Sequence, residues 1–185
     1  MLMEILDVTI DHHRLRDEII HNNAVGQFLE DHSQISVQCR PNITGELQLL
    51  EGIGSLTKDW DSYDPRIRKE VPDRIDPLHQ DMFTEIADLF KGTYLEEVVR
   101  VVNLITPVVR ARLMRSRMKS CLSMHKDLTK RIHIPIDTND NCFMVVEDSV
   151  LRLPFGKTYM VDTTLSHTAV NASNKTRTHL VFCCR

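Results

Sequence analysis

The sequence predicts a mainly β protein whose short strands close into a sandwich or barrel, with helices from the N-terminal part flanking it. Three observations carry this expectation. From Val108 onward the chain breaks into short β-runs separated by turn clusters at Thr138-Asn139-Asp140-Asn141, Glu147-Asp148-Ser149, Pro154-Phe155-Gly156 and Asn171-Ala172-Ser173-Asn174, a spacing typical of all-β architectures. Within those runs apolar and polar residues alternate, the period of a strand with two different faces. Residues up to about Leu104 read instead as helix and loop. A length of 185 residues allows a real core, and the expected organisation is one domain over 1–185. In it, 1–104 contributes flanking helices, loops and short strands, and 105–185 forms the β core.

Taken in order, Met1-Leu2-Met3-Glu4-Ile5-Leu6-Asp7 has no basic segment and carries acids, unlike a secretory signal. Helices are expected over Asp11 to Phe28 and Asp81 to Val102, the second placing Met82, Ile86, Leu89 and Phe90 at helical spacing. Between them Gly45, Gly52, Gly54, Pro65, Pro72 and Pro77 punctuate loops and short strands. Trp60 and Tyr63, among Asp59, Asp61 and Asp64, form an aromatic loop that reads equally as a lid or a hydrophobic plug. The apolar stretch Val98 to Val109 holds Arg100, Asn103 and Pro107 and is too short to span a bilayer. A soluble, cytoplasmic protein without a membrane partner is expected. The basic run Arg110, Arg112, Arg115, Arg117 and Lys119 reads as a strand face that is solvated or pairs with acidic helices, its parity shifting between Arg112 and Arg115 as at a bulge or with mixed exposure. Its alternative reading has one arginine, such as Arg117, reaching a substrate carboxylate.

The later strands each show one polar face. In Arg131-Ile132-His133-Ile134-Pro135-Ile136 three isoleucines lie opposite Arg131, His133 and Pro135; His167, Ala169 and Asn171 share a face of the next such run, and Arg177 shares one with His179. If the isoleucines pack against helices, Arg131 and His133 turn into the barrel. Burying so many polar groups is costly unless something binds them.

A formal net charge of −3 argues against a protein built mainly to bind nucleic acid. The five cysteines, Cys39, Cys121, Cys142, Cys183 and Cys184, are odd in number and lack CxxC spacing, which fits neither a disulfide framework nor a structural zinc site.

The most informative residues are His125-Lys126-Asp127, His167 forty positions after Asp127, and Arg177 ten beyond that. Two imidazoles and a carboxylate on one face of a metal form the facial triad of non-haem Fe(II) oxygenases, and an arginine is suited to a carboxylate co-substrate because its guanidinium is planar, always charged and two-pronged. His-x-acid alone is weak: with nine histidines and 26 acids, roughly one match arises by chance. His79-Gln80-Asp81 is such a decoy, placed where a helix is expected and where residues two apart diverge. His125 and Asp127 lie in a region of β-character, where alternate side chains share a face and Lys126 points away.

The stretch from about Val109 to Phe182, with HKD, RIHIPIDTN, a Pro-Phe-Gly turn and HTAVNASNKTRTHLVF, resembles the aspartyl/asparaginyl β-hydroxylases among the cupin-type 2-oxoglutarate oxygenases. It is also similar to the small bacterial proline hydroxylases. The resemblance implies a double-stranded β-helix, a cupin-like jelly roll, with flanking helices. It implies His125, Asp127 and His167 as Fe(II) ligands, Arg177 on the distal carboxylate of 2-oxoglutarate, and Arg131 and His133 as an RxH pair contributing to co-substrate binding. The activity implied is hydroxylation by O2 of an amino acid or a peptidyl side chain of the Asp, Asn or Pro kind, releasing succinate and CO2. Asp127 departs from the animal aspartyl β-hydroxylases, which lack an acidic ligand, and so weakens transfer of their substrate. A non-catalytic cupin that binds a ligand or partner, and a cupin enzyme with a metal but no co-substrate, are the alternatives; a nucleic-acid demethylase is disfavoured by the acidic balance.

Overall fold

A computed structural model describes residues 1–54 and 79–185. The Trp60 and Tyr63 loop therefore lies outside the described residues. After a short strand β1 (Met3–Ile5), the expected Asp11 to Phe28 helix is two helices, α1 (His12–His21) and α2 (Asn23–His32). The break is at Asn22, whose side-chain oxygen accepts from the N–H groups of Ala24 (3.1 Å) and Val25 (3.2 Å). A residue that caps one helix cannot also continue its predecessor. Strands β2 (Gln34–Ser36) and β3 (Gln38–Cys39) and the turn of helix α3 (Leu47–Leu50) follow.

The second expected helix, Asp81 to Val102, is α-helical only from Tyr94 onward. Its first part holds a 3-10 turn (Gln80–Met82), strand β4 (Glu85–Ile86) and a second 3-10 turn (Asp88–Phe90), and only then comes α4 (Tyr94–Ile105). Gly92 has φ +73° and Thr93 caps α4, so the helix cannot extend backward. The residues buried here are Phe83, Ala87 and Phe90, whereas Met82 is exposed. The apparent helical spacing arises from turns that each bury one side chain.

From Val108 the expected β-runs are present: β5 (Val108–Ser116), β6 (Ser120–Cys121), β7 (Arg131–Asp137), β8 (Cys142–Val146), β9 (Ser149–Leu151), β10 (Tyr159–Val161), β11 (His167–Asn171) and β12 (Arg177–Cys184). Each predicted turn cluster falls at the end of a strand or between two. The strands form a six-stranded sheet, β1-β10-β7-β12-β5-β2, and a four-stranded sheet, β6-β11-β8-β9, with antiparallel pairing throughout. This is the jelly-roll, double-stranded β-helix of cupins, with flanking helices. Ile132, Ile134 and Ile136 of β7 and Leu180 and Phe182 of β12 are buried in one core with Leu15 and Ile19 of α1 and Val98 of α4. At about 1.5–3 kcal/mol for each fully buried aliphatic or aromatic side chain, that cluster decides the register. It also turns the alternate residues, Arg131, His133, Arg177 and His179, to the sheet's other face. Among the described residues no helix is long and apolar enough to cross a membrane.

Candidate metal centre

The triad is assembled by backbone pairing. His125 and His167 form an isolated antiparallel bridge, each N–H donating to the other's carbonyl (3.0 and 2.9 Å), so their side chains leave the same face and their rings lie 4.3 Å apart. Asp127 is placed by its own N–H, which donates to Thr163 O at 2.8 Å. Within the expected region of β-character, His125 and Asp127 therefore lie in an irregular segment with one bridge. The outcome for orientation is the same: Lys126 is exposed and its neighbours turn inward.

The ligand atoms of His125, Asp127 and His167 all lie within 4.8 Å of one another. Asp127 Oδ1 is 4.0 Å from His125 Nε2, and Oδ2 is 3.4 Å from His167 Nε2. Both imidazoles are oriented alike: His125 Nδ1 meets Ser123 O at 2.8 Å and His167 Nδ1 meets Leu165 O at 3.0 Å. A carbonyl only accepts, so each Nδ1 carries a proton, and Nε2 is the nitrogen that each ring turns to the centre. Two such nitrogens and a carboxylate, facing one another with Asp127 Oδ2 buried and without a hydrogen bond, are a donor set that could hold a metal ion. Its two nitrogens and one oxygen fit Fe(II). Burial acts to raise the Asp127 pKa, but His167 and the charge of Arg131 outweigh it and hold the carboxyl below its ordinary value.

Arg131 binds the aspartate directly, Nη2 to Asp127 Oδ1 at 2.5 Å. The structure thus gives it a place beside the candidate ligand Asp127, orienting that carboxylate. His133 is buried with neither ring nitrogen hydrogen-bonded, and burial, with help from Arg177, holds it well below its ordinary pKa. Arg177 is 6% exposed and makes its contacts with its strand neighbour, Nε to His179 Nε2 at 3.0 Å and Nη2 to Nδ1 at 3.1 Å. Among the described residues no carboxylate lies within ion-pair distance of it. Burial lowers its pKa to about 10, which still leaves it charged at neutral pH.

All six candidate residues, His125, Asp127, Arg131, His133, His167 and Arg177, line one cavity of about 70 Å³, together with Met114, Met144, Ala169, Val181 and others. Thr163, Met144 and Val181 were not singled out from the sequence. Strand parity could have found Val181, two residues beyond His179, whereas the carbonyls of Ser123 and Leu165 have no sequence signal. Asn171, on the ligand face of β11, donates to Arg117 O and Lys175 O and serves the turn. His79 and Asp81 do meet, at 3.4 Å, contrary to expectation, because His79 caps a 3-10 turn; among the described residues no third ligand joins this exposed pair. A larger open groove of about 650 Å³ beside α4 includes none of the candidate residues.

The basic run departs most from expectation. Arg110 and Arg112 are buried, at 4% and 2% exposure, whereas Arg117 is exposed and does not line the cavity. The parity break lies at Arg110, whose φ is +53°, opposite a register shift between Val181 and Cys183.

A curated L-proline cis-4-hydroxylase from Rhizobium meliloti (strain 1021) is 29% identical over 95 residues, 48% of this chain and 34% of that protein. The chain thus spans about a third of the length of this relative. Among solved structures, the 2OG complex of the viral collagen prolyl hydroxylase vCPH from Paramecium Bursaria Chlorella virus-1 is similar over 100% of this chain and 96% of that one, with a TM-score of 0.50 and 9% identity. That likeness concerns the fold. A family model described as Aspartyl/Asparaginyl beta-hydroxylase matches residues 87–185, a span that runs from before α4 to the end of β12 and contains both faces of the cavity. Since it takes in more than half of the sequence, the chain belongs to the aspartyl/asparaginyl beta-hydroxylase family.

Proposed function

We propose that the protein is an Fe(II)- and 2-oxoglutarate-dependent oxygenase that hydroxylates an amino acid or a peptidyl side chain of the Asp, Asn or Pro kind. One observation carries this reading: a converging His-Asp-His set and a buried arginine without an acidic partner line the same small cavity. A buried unpaired guanidinium costs several kcal/mol, which a dicarboxylate co-substrate removes. The family and the proline hydroxylase relative support the substrate class.

His125, Asp127 and His167 would hold the iron, which together with 2-oxoglutarate, O2 and the substrate supplies hydroxylation of a C–H bond coupled to release of succinate and CO2. The chain's own residues position and exclude. Ser123 and Leu165 carbonyls keep both imidazoles in the ligating tautomer, and Arg131 aims Asp127. Arg177, held against His179, retains Nη1 for the distal carboxylate. Met114, Met144, Ala169 and Val181 give the cavity apolar walls that limit water, while His125, with its side chain about a third exposed, marks the open side.

The test is anaerobic titration of metal-free protein with Fe(II) and then 2-oxoglutarate, following the visible charge-transfer band, with His167→Ala and Arg177→Ala alongside. The expected result is a band that is lost in the histidine variant and that requires ~30-fold or more keto acid in the arginine variant, the cost of truncating one partner of a buried charge pair. A folded wild-type protein without the band overturns the oxygenase reading in favour of a non-catalytic cupin.

A further inference from the structure

The oxygenase reading uses the methionines of the cavity only as apolar walls, yet a thioether is also an oxidisable group. Met114 and Met144 both line the cavity. Met144 is buried at 2% exposure and packs with Val146, Leu153, Tyr159 and Val161. On β8 it is the partner of Ala169, and Val146, two residues later, is the partner of the candidate ligand His167. Alternate residues of paired strands share a face, so Met144 is the diagonal neighbour of His167. Such neighbours stand about 7–8 Å apart, within reach of a long side chain. Met114 has no such relation to a ligand: its partners are His179 and Gln34, and its diagonal neighbours on β12 are Arg177 and Val181. Register thus sets Met144 on the side of the metal ligands and Met114 on the side of the co-substrate arginine.

The chemistry of the wall singles out the same residue type. A thioether sulfur carries a lone pair that takes an oxygen atom directly, whereas Leu122, Ala169 and Val181 in the same wall offer only C–H bonds that must first be broken. Three rotatable bonds let the methionine side chain adapt to the space beside it. The product has a place as well. A sulfoxide oxygen accepts hydrogen bonds, and the cavity contains Arg131, whose buried Nε has no partner, and His133, whose two ring nitrogens have none. Each of these side chains keeps an N–H to donate.

We propose that Met144 is the site of self-oxidation when the metal-loaded protein consumes O2 and 2-oxoglutarate with no substrate in the cavity. This rests on the oxygenase reading. In the step the C1–C2 bond of the keto acid and the O–O bond break, and CO2 leaves. One oxygen atom of O2 completes the succinate carboxylate, and the other forms an S–O bond with Met144. The keto acid and the thioether each give up two electrons, which together reduce O2, and no proton is gained or lost. The methionine becomes a sulfoxide.

Burial supplies the test, because an oxidant arriving from solvent meets Met118 and Met124, 58% and 51% exposed, before it meets Met144. Protein loaded anaerobically with Fe(II) and 2-oxoglutarate is exposed to isotopically heavy O2 with catalase present, then unfolded, digested and analysed by peptide mass. Parallel samples omit the keto acid, omit the iron, or replace both by hydrogen peroxide without catalase. The expected result is heavy oxygen on the Met144 peptide at about tenfold or more the level on Met118 and Met124, the advantage of a reactant held in place, and only when iron and keto acid are both present. Peroxide should reverse that order. In Met144→Leu, which nearly conserves volume, the surface methionines should gain no label. An unmodified Met144, label on Met114 in its place, label that follows exposure, label formed without iron or keto acid, a preference for Met144 under peroxide, or transfer of label to Met118 and Met124 in the variant each overturns the proposal. If the visible charge-transfer band forms normally, only this inference falls. If it never forms, the oxygenase reading falls with it.

Discussion

His133 and His179 lie on adjacent strands facing the cavity, with rings 5.8 Å apart and near-perpendicular. Burial first, then the charge of Arg177, drives both imidazole pKa values well below the ordinary one. In the unfolded chain each takes its proton near pH 6.5. Below that pH the unfolded state binds more protons than the folded one, so the stability these residues contribute is full above pH 6.5 and is lost as pH falls. Asp127 acts in a lower window, since its depressed pKa contributes stability only above the ordinary carboxyl value and loses it in stronger acid. Urea unfolding of metal-free protein at pH 7.5, 6.5 and 5.5 should therefore show a decline of at most about 1.4 kcal/mol per pH unit for each histidine, flattened in His133→Phe. A pH-independent midpoint across that range would contradict neutral burial.

The helices are tied to the jelly roll by contacts that the local pattern did not announce. Glu18 of α1 accepts from the N–H groups of Tyr94 (2.8 Å) and Leu95 (2.9 Å) at the start of α4, and the Tyr94 hydroxyl returns an acceptor to Asp11 N–H at 2.8 Å. A carboxylate from one helix thus caps another. Replacing Glu18 by alanine is expected to cost about 1–2 kcal/mol, read as a lowered denaturation midpoint, while exposed Glu30→Ala on α2 should stay within about 0.5 kcal/mol. Equal effects would mean that α4 holds its place without the cap. The same logic explains why Asp11 to Phe28 looked continuous: the apolar spacing survives across Asn22, but its side chain ends one helix by starting the next.

At the scale of the molecule, the candidate centre joins two sheets, since β11 carries His167 while the segment after β6 carries His125 and Asp127 just before β7. A metal held there is bound only by the folded chain and so stabilises it by mass action. At a free metal concentration near 100 Kd the gain is about 2.7 kcal/mol, or a Tm rise of roughly 5–10 °C for a chain of this size. Calorimetry of wild-type protein with Fe(II) or Mn(II), reversed by chelator, should show this rise, and His167→Ala should not respond. An equal response in the variant would place the metal elsewhere.

The local pattern carried the mainly β class, the isoleucine face of β7, the turns and the polar faces that converge on the cavity, while the double-stranded β-helix came from the family resemblance. Alternation along a strand is covalent geometry, so once Ile132 and Ile134 commit to the helices, His133 has one direction left. Polarity misled where burial depends on distant segments. Arg110 and Arg112 read as solvated because arginine usually is, yet Gly52, Gly54 and Gln34, remote in sequence, enclose them and leave one guanidinium edge unpaired. Arg131, expected to face the cavity, does line it, and there folding sets it against Asp127. Spacing reports which face a side chain takes; what meets it there depends on packing between segments far apart in the chain.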